Sequence, residues 1–163
     1  MSKTRNTHDA LRTSHTAGSD EISKIALERH DWPTNEKIPD DSFKQLLQTE
    51  INKKVTRNVS LKDCTIEQRF RGGFNHIVLL SMAIDKRFKD YVIRVPANGV
   101  KSRWLVGDAH NMRCKVALTM CLRLEIGVPM PRVIAFDESL DSTVGALYIL
   151  MKRMRGRPAR NVW

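Results

Sequence analysis

An α+β fold, a five-stranded antiparallel sheet with one packed helix, is what this sequence predicts. Three observations carry that reading. Short runs of β-branched and aromatic residues are broken by turn residues: Cys64–Phe70, His76–Ile84, Tyr91–Val95, Arg132–Phe136 and Ala146–Met151. Between the third and fourth runs lies one helical pattern, with Ala109, Met112, Val116 and Met120 at i, i+3, i+7 and i+11. A second helical pattern, Phe43, Leu46, Leu47, Ile51 and Val55, precedes the first run.

Each element has a local cause. Residues 1–40 mix Ser, Thr, Asn, Asp and Lys with little apolar periodicity, which predicts a flexible leader and a folded part over 41–163. Asp40 or Asp41 is a good N-cap for the first helix. Arg71-Gly72-Gly73-Phe74-Asn75 is a glycine turn between the first two strands, and two adjacent glycines permit positive φ and close approach of backbone to a ligand. Asp85-Lys86-Arg87 is the next turn, and Pro96, which cannot donate to a ladder, ends the third strand. The second helix should start near Asp108 and stop at Gly127, before Val128-Pro129-Met130-Pro131.

Composition narrows the function. The longest apolar run is far short of the roughly 20 residues of a membrane span. The leader lacks the apolar core of a secretory signal, so a cytoplasmic location is expected, with mitochondrial targeting by the leader as the alternative. Cys64, Cys114 and Cys121 have no CxxC spacing and predict reduced, mostly packed thiols, and the five histidines form no ligand pair that would indicate a metal site. Residues 41–163 hold 22 Lys/Arg against 11 Asp/Glu, a field that attracts phosphates. With aromatics at 6% and no RNA-recognition strand motif, a nucleic-acid partner is not expected, although a basic module for nucleic acid or an anionic surface is an alternative reading. Arg94 stands alone between β-branched residues, so its charge must leave the sheet face or meet an acid or a phosphate.

Three strands, a helix and two strands, with a glycine turn after the first strand and a cation on the third, follow the order of the small lobe of the protein-kinase-like fold. From about Cys64 to Trp163 the chain resembles the aminoglycoside-phosphotransferase (choline-kinase-like) family, in particular its members from filamentous fungi. Gly72-Gly73-Phe74-Asn75 resembles the phosphate-covering loop, Arg94-Val95-Pro96 the strand-three cation, and Val128–Val133 the double-proline lead-in to strand four. Gly145–Met151 resembles strand five and the hinge, with Gly156-Arg157-Pro158 and Trp163 just beyond.

The resemblance implies a nucleotide-binding lobe of an ATP-dependent phosphotransferase. ATP, or GTP, would lie under Gly72, Gly73, Phe74 and Asn75, with Arg94 on its α and β phosphates. The carbonyl of Lys152 and the N–H of Met154 would bond the purine, and Met151 would stand behind it. Magnesium and the catalytic aspartates belong to the family's large lobe, for which 163 residues leave no room. The expectation is therefore a truncated lobe or pseudoenzyme that transfers no phosphate by itself. Leu150, Met154 and Trp163 on the hinge side would offer an apolar patch to the missing lobe or to a protein partner. One departure stands inside the helix, where Lys115 occupies the place of the glutamate that would pair with the strand-three cation.

Overall fold

The structure, a computed structural model, describes residues 28–55 and 58–156. The chain divides into two units, Met1–His30 and Asp31–Trp163, and the architecture below is that of the second. It is α+β, built on a five-stranded antiparallel sheet: β1 Cys64–Arg71, β2 Asn75–Ile84, β3 Arg87–Pro96, β4 Val133–Asp137 and β5 Tyr148–Lys152, in the spatial order β1-β2-β3-β5-β4. Among the described residues three α-helices accompany it: α1 Trp32–Lys37, α2 Asp40–Asn52 and α3 Val106–Leu124.

Strand alternation sorts the sheet into two faces. Val78, Leu80, Met82 and Ile84 of β2, Tyr91, Ile93 and Val95 of β3, and Tyr148 and Leu150 of β5 join one core with Phe43, Leu46, Leu47 and Ile51 of α2. The large apolar stripe of α2 is thereby removed from water, each such side chain contributing roughly 1.5–3 kcal/mol. On the opposite face Ile149 packs with Leu147 and with Met112 and Val116 of α3. Register places Arg94 on that second face, opposite Ile77 of β2 and Ile149 of β5.

Part of the segment expected to be a flexible leader is folded. Asp31–Ile38 is ordered as α1 and its caps. Asp31 Oδ1 accepts from the Thr34 N–H at 3.1 Å, a proline stands in the first turn, and Asn35 is fully buried. The Asp31 N–H donates to the Ala97 carbonyl at 2.8 Å, Asn35 Nδ2 to the same carbonyl at 3.2 Å, and Ser102 Oγ to Asp31 Oδ2 at 2.8 Å. This helix has polar anchors and no apolar period, which is why hydropathy does not reveal it. Residues 1–27, for which the leader is also expected, lie outside the described residues.

Other boundaries differ for equally local reasons. The N-cap of α2 is Pro39, without a side-chain bond, and both Asp40 and Asp41 sit in the first turn, where negative charge suits the helix dipole. The β2–β3 turn has two residues, Asp85 (φ 51°) and Lys86 (φ 61°), the left-handed pair that suits a tight hairpin, so β3 starts at Arg87. Helix α3 starts at Val106, with the Leu105 N–H donating to Asp108 Oδ2 at 2.7 Å. It closes with Val128 N–H on the Leu122 carbonyl around Gly127 at φ 74°. Met120, expected on its buried stripe, is 46% exposed, because the inner face of α3 continues from Val116 through the half-buried Thr119 and Leu122 instead. Among the described residues no helix is long and apolar enough to cross a membrane.

Candidate functional site: a cavity between strand β3 and helix α3

A cavity of about 410 Å³ opens between the second face of the sheet and α3. That volume lies in the range of roughly 300–1,000 Å³ usual for small-molecule sites. Its apolar wall comes from Met112, Val116, Leu147, Ile149 and Met151, and its polar groups are Asn75, Arg94, Asn98, Asp108, Asn111, Lys115 and Thr119.

Arg94 reaches the cavity because β3 alternates. Ile93 and Val95 are fully buried against α2, so residue 94 between them must face the other way. The side chain is half-buried, and among the described residues its guanidinium makes no hydrogen bond or ion pair. Lys115 lies across on α3, exposed, and its ammonium is likewise unpaired among the described residues. The carboxylate on the cavity wall is Asp108, which accepts from the Leu105 N–H and from Asn98 Nδ2 at 3.0 Å. Asp108 thus serves the start of α3.

Of the residues singled out in the sequence, the fold brings Phe74, Asn75, Arg94 and Met151 to this one cavity. Gly72, Gly73, Lys152 and Met154 are not on its wall. The turn holding the glycines is closed by the Gly72 N–H on the Asn75 carbonyl at 2.8 Å. Neither glycine uses the positive φ that the pair permits; the positive-φ glycines among the described residues are Gly127, Gly145 and Gly156. A Cβ at Gly72 would meet the Asn75 oxygen at 3.2 Å, whereas at Gly73 there is open space. The glycine that close approach requires is Gly99, where a Cβ would stand 3.0 Å from the Pro96 oxygen and 3.2 Å from the Leu147 Cβ.

The hinge side also differs in detail. Leu150 is fully buried in the α2-facing core and offers nothing to an outer partner, because its place on β5 points it inward. Met154 is 47% exposed, and the Lys152 N–H, not the carbonyl expected to meet a purine, donates to the Arg132 carbonyl at 2.9 Å. Gly156 is described; Arg157, Pro158 and Trp163 lie outside the described residues. The thiols are not mostly packed: Cys64 is buried, but Cys114 and Cys121 are exposed on α3, since positions seven apart share a face that turns away from the sheet. Asn98, Asp108 and Asn111 were not foreseen at the site. The Asn98-Gly99 turn signal marks their neighbourhood, but nothing in the sequence says that this turn folds back beside α3.

No protein-family profile and no solved structure matches the chain. Two curated proteins do, both described as subtelomeric hrmA-associated cluster proteins and found in two strains of Aspergillus fumigatus. Each is 31% identical to this chain over 93 residues. The aligned stretch covers 56% of this chain and 16% of the relative, so this chain spans a small part of the length of the proteins it is similar to.

Proposed function

We propose that the cavity between β3 and α3 binds the phosphates of a purine nucleotide, and that this unit is the nucleotide-binding lobe of an ATP-dependent small-molecule phosphotransferase. The observation that carries the reading is Arg94, a guanidinium held half-buried on a cavity wall and ion-paired with no acid among the described residues. A desolvated cation without a counter-charge is costly, and an oxyanion is the group that relieves it. Asn75 and Phe74 on the β1–β2 turn, and Met151 at the β5 end of the cavity, stand where an extended ligand would continue.

The resemblance to the aminoglycoside-phosphotransferase family supports the same reading, as does the succession of three strands, a helix and two strands. ATP, or GTP, would be held through its phosphates by Arg94, with Phe74 and Asn75 over them. Phosphoryl transfer depends mainly on positioning and on stabilising charge, and this lobe supplies the positioning half. Among the described residues no group of three or more His, Cys, Asp or Glu side chains is placed to hold a metal ion. Magnesium would arrive with the nucleotide's phosphates. The carboxylates that orient an acceptor hydroxyl would come from a second lobe.

Calorimetric titration of the chain with Mg-ATP tests this directly. Saturable binding that falls at least tenfold in Arg94→Met supports the reading; no heat at millimolar nucleotide, or binding indifferent to Arg94→Met, overturns it.

A further inference from the structure

We infer that Lys115 is a second phosphate ligand, so that the cavity is a two-cation clamp selecting a diphosphate group over a single phosphate. The inference rests on the nucleotide reading for the identity of its natural ligand, but its chemistry is independent of the base.

Arg94 and Lys115 enter one cavity from opposite walls, one from the sheet and one from α3. Neither has an acidic partner among the described residues. Asp108, the carboxylate on the cavity wall among the described residues, is engaged by the Leu105 N–H and by Asn98. Two like charges facing one cavity repel, and an anion between them turns that repulsion into two attractions. The two groups also divide the work: a guanidinium offers a planar fork that matches two oxygens, while an ammonium is a mobile point charge on a long stem. A planar fork and a reaching point charge suit adjacent phosphates. A monophosphate would satisfy the fork and leave the lysine solvated. The acid–cation pairing that the family resemblance expects at this place is thus replaced by the ligand itself.

The test is calorimetric titration of the 163-residue chain with inorganic pyrophosphate, AMP and ADP at fixed ionic strength. Four proteins are compared: the unaltered chain, Lys115→Met, Lys115→Glu, and Lys101→Met, an exposed lysine outside the cavity wall. Far-UV circular dichroism checks that each is folded. Pyrophosphate and ADP should bind, with AMP at least tenfold weaker. Lys115→Met should lose about tenfold for both diphosphates, the size of one charge-assisted contact, Lys115→Glu should lose all measurable binding, and Lys101→Met should change neither.

Binding by Lys115→Glu that equals or exceeds the unaltered chain overturns the clamp. Arg94 would then prefer a carboxylate neighbour, and the nucleotide reading would survive if ADP still bound. Lys115-dependent binding of pyrophosphate with no gain from the adenosine of ADP sustains the clamp and removes the nucleotide reading. Absence of binding by pyrophosphate and ADP alike overturns both.

Discussion

Arg69 Nε donates to Nε2 of His76 at 3.2 Å, joining β1 to β2 at the point where α1 passes into α2. The same guanidinium donates to the carbonyls of Ile38 and Glu36, both at 2.9 Å, and to Asp40 Oδ1 at 2.7 Å. It also lies 5.1 Å from the centre of the Phe43 ring, which itself stacks near His76. Because Nε2 of His76 accepts, the ring proton sits on Nδ1, and that atom is buried without a partner among the described residues.

Replacing Arg69 should therefore loosen two helices at once. Arg69→Met keeps the apolar stem and removes the fork, and urea unfolding should show a loss of about 3 kcal/mol, in the range of a few charge-assisted hydrogen bonds. Arg69→Lys should recover little, since an ammonium cannot reach carbonyls, carboxylate and imidazole together. A loss under about 1 kcal/mol for Arg69→Met would show that α1 and α2 are held without it.

His76 gives the unit a pH dependence. Burial, and then the charge of Arg69, hold its pKa below the ordinary 6.5. The unfolded chain therefore takes up a proton at a higher pH than the folded one. The contribution is complete above pH 6.5 and diminishes as the pH falls from there towards the folded-state value, below which it levels off. Urea midpoints taken from pH 7.5 downward should fall through this window, and the part due to this residue should vanish in His76→Gln. An unchanged slope in that variant would assign the effect to other groups.

Thiol accessibility should split two to one. Cys64 is buried, and burial, reinforced by Asp63, pushes its pKa up to about 11. Cys114 and Cys121 are exposed, the former with its sulfur 3.4 Å from His110 Nε2. At pH 8 a disulfide reagent should modify Cys114 and Cys121 quickly in the native state and Cys64 only in denaturant. Rapid reaction of all three would mean that the β1 end of the core opens readily.

Two glycine substitutions should separate folding from binding. Gly99→Ala drives a methyl into the Pro96 oxygen and the Leu147 side chain and should cost roughly 1–3 kcal/mol. Gly73→Ala meets nothing within 4 Å and has no left-handed backbone to strain, so stability should stay within about 0.5 kcal/mol. Any loss of Mg-ATP binding in Gly73→Ala would then report the ligand's approach to the β1–β2 turn. Thermal unfolding alongside calorimetry distinguishes the cases.

The sheet and its two packed helices were legible because each buries an apolar stripe with its own period. Val78, Leu80 and Met82 alternate, and Phe43, Leu46, Leu47 and Ile51 recur at helical spacing. The first turns of β3 were not, since Arg87–Asp90 is exposed on both faces and carries no period. Helix α1 was missed because it is held by Asp31, Asn35 and distant carbonyls. At the site, Arg94 was legible as a charge in a buried strand, and Lys115 as a cation bordering the α3 stripe. That Asp108 and Asn98 complete the same wall depends on the path of the Gly99 turn, a tertiary matter that local pattern does not encode.

The bonds from α1 to Ala97 and Ser102 span 62 and 71 residues of sequence. As the chain leaves the ribosome, Asp31 and Asn35 emerge long before the groups that hold them, and α1 is too short to persist as an isolated helix. The hairpins β1–β2 and β2–β3 can assemble first, because their partners are close in sequence. The Asp31–Lys37 segment is then laid across the finished hairpins, a step that must wait for Ala97 and Ser102 but not for α3, β4 or β5, which are made later still.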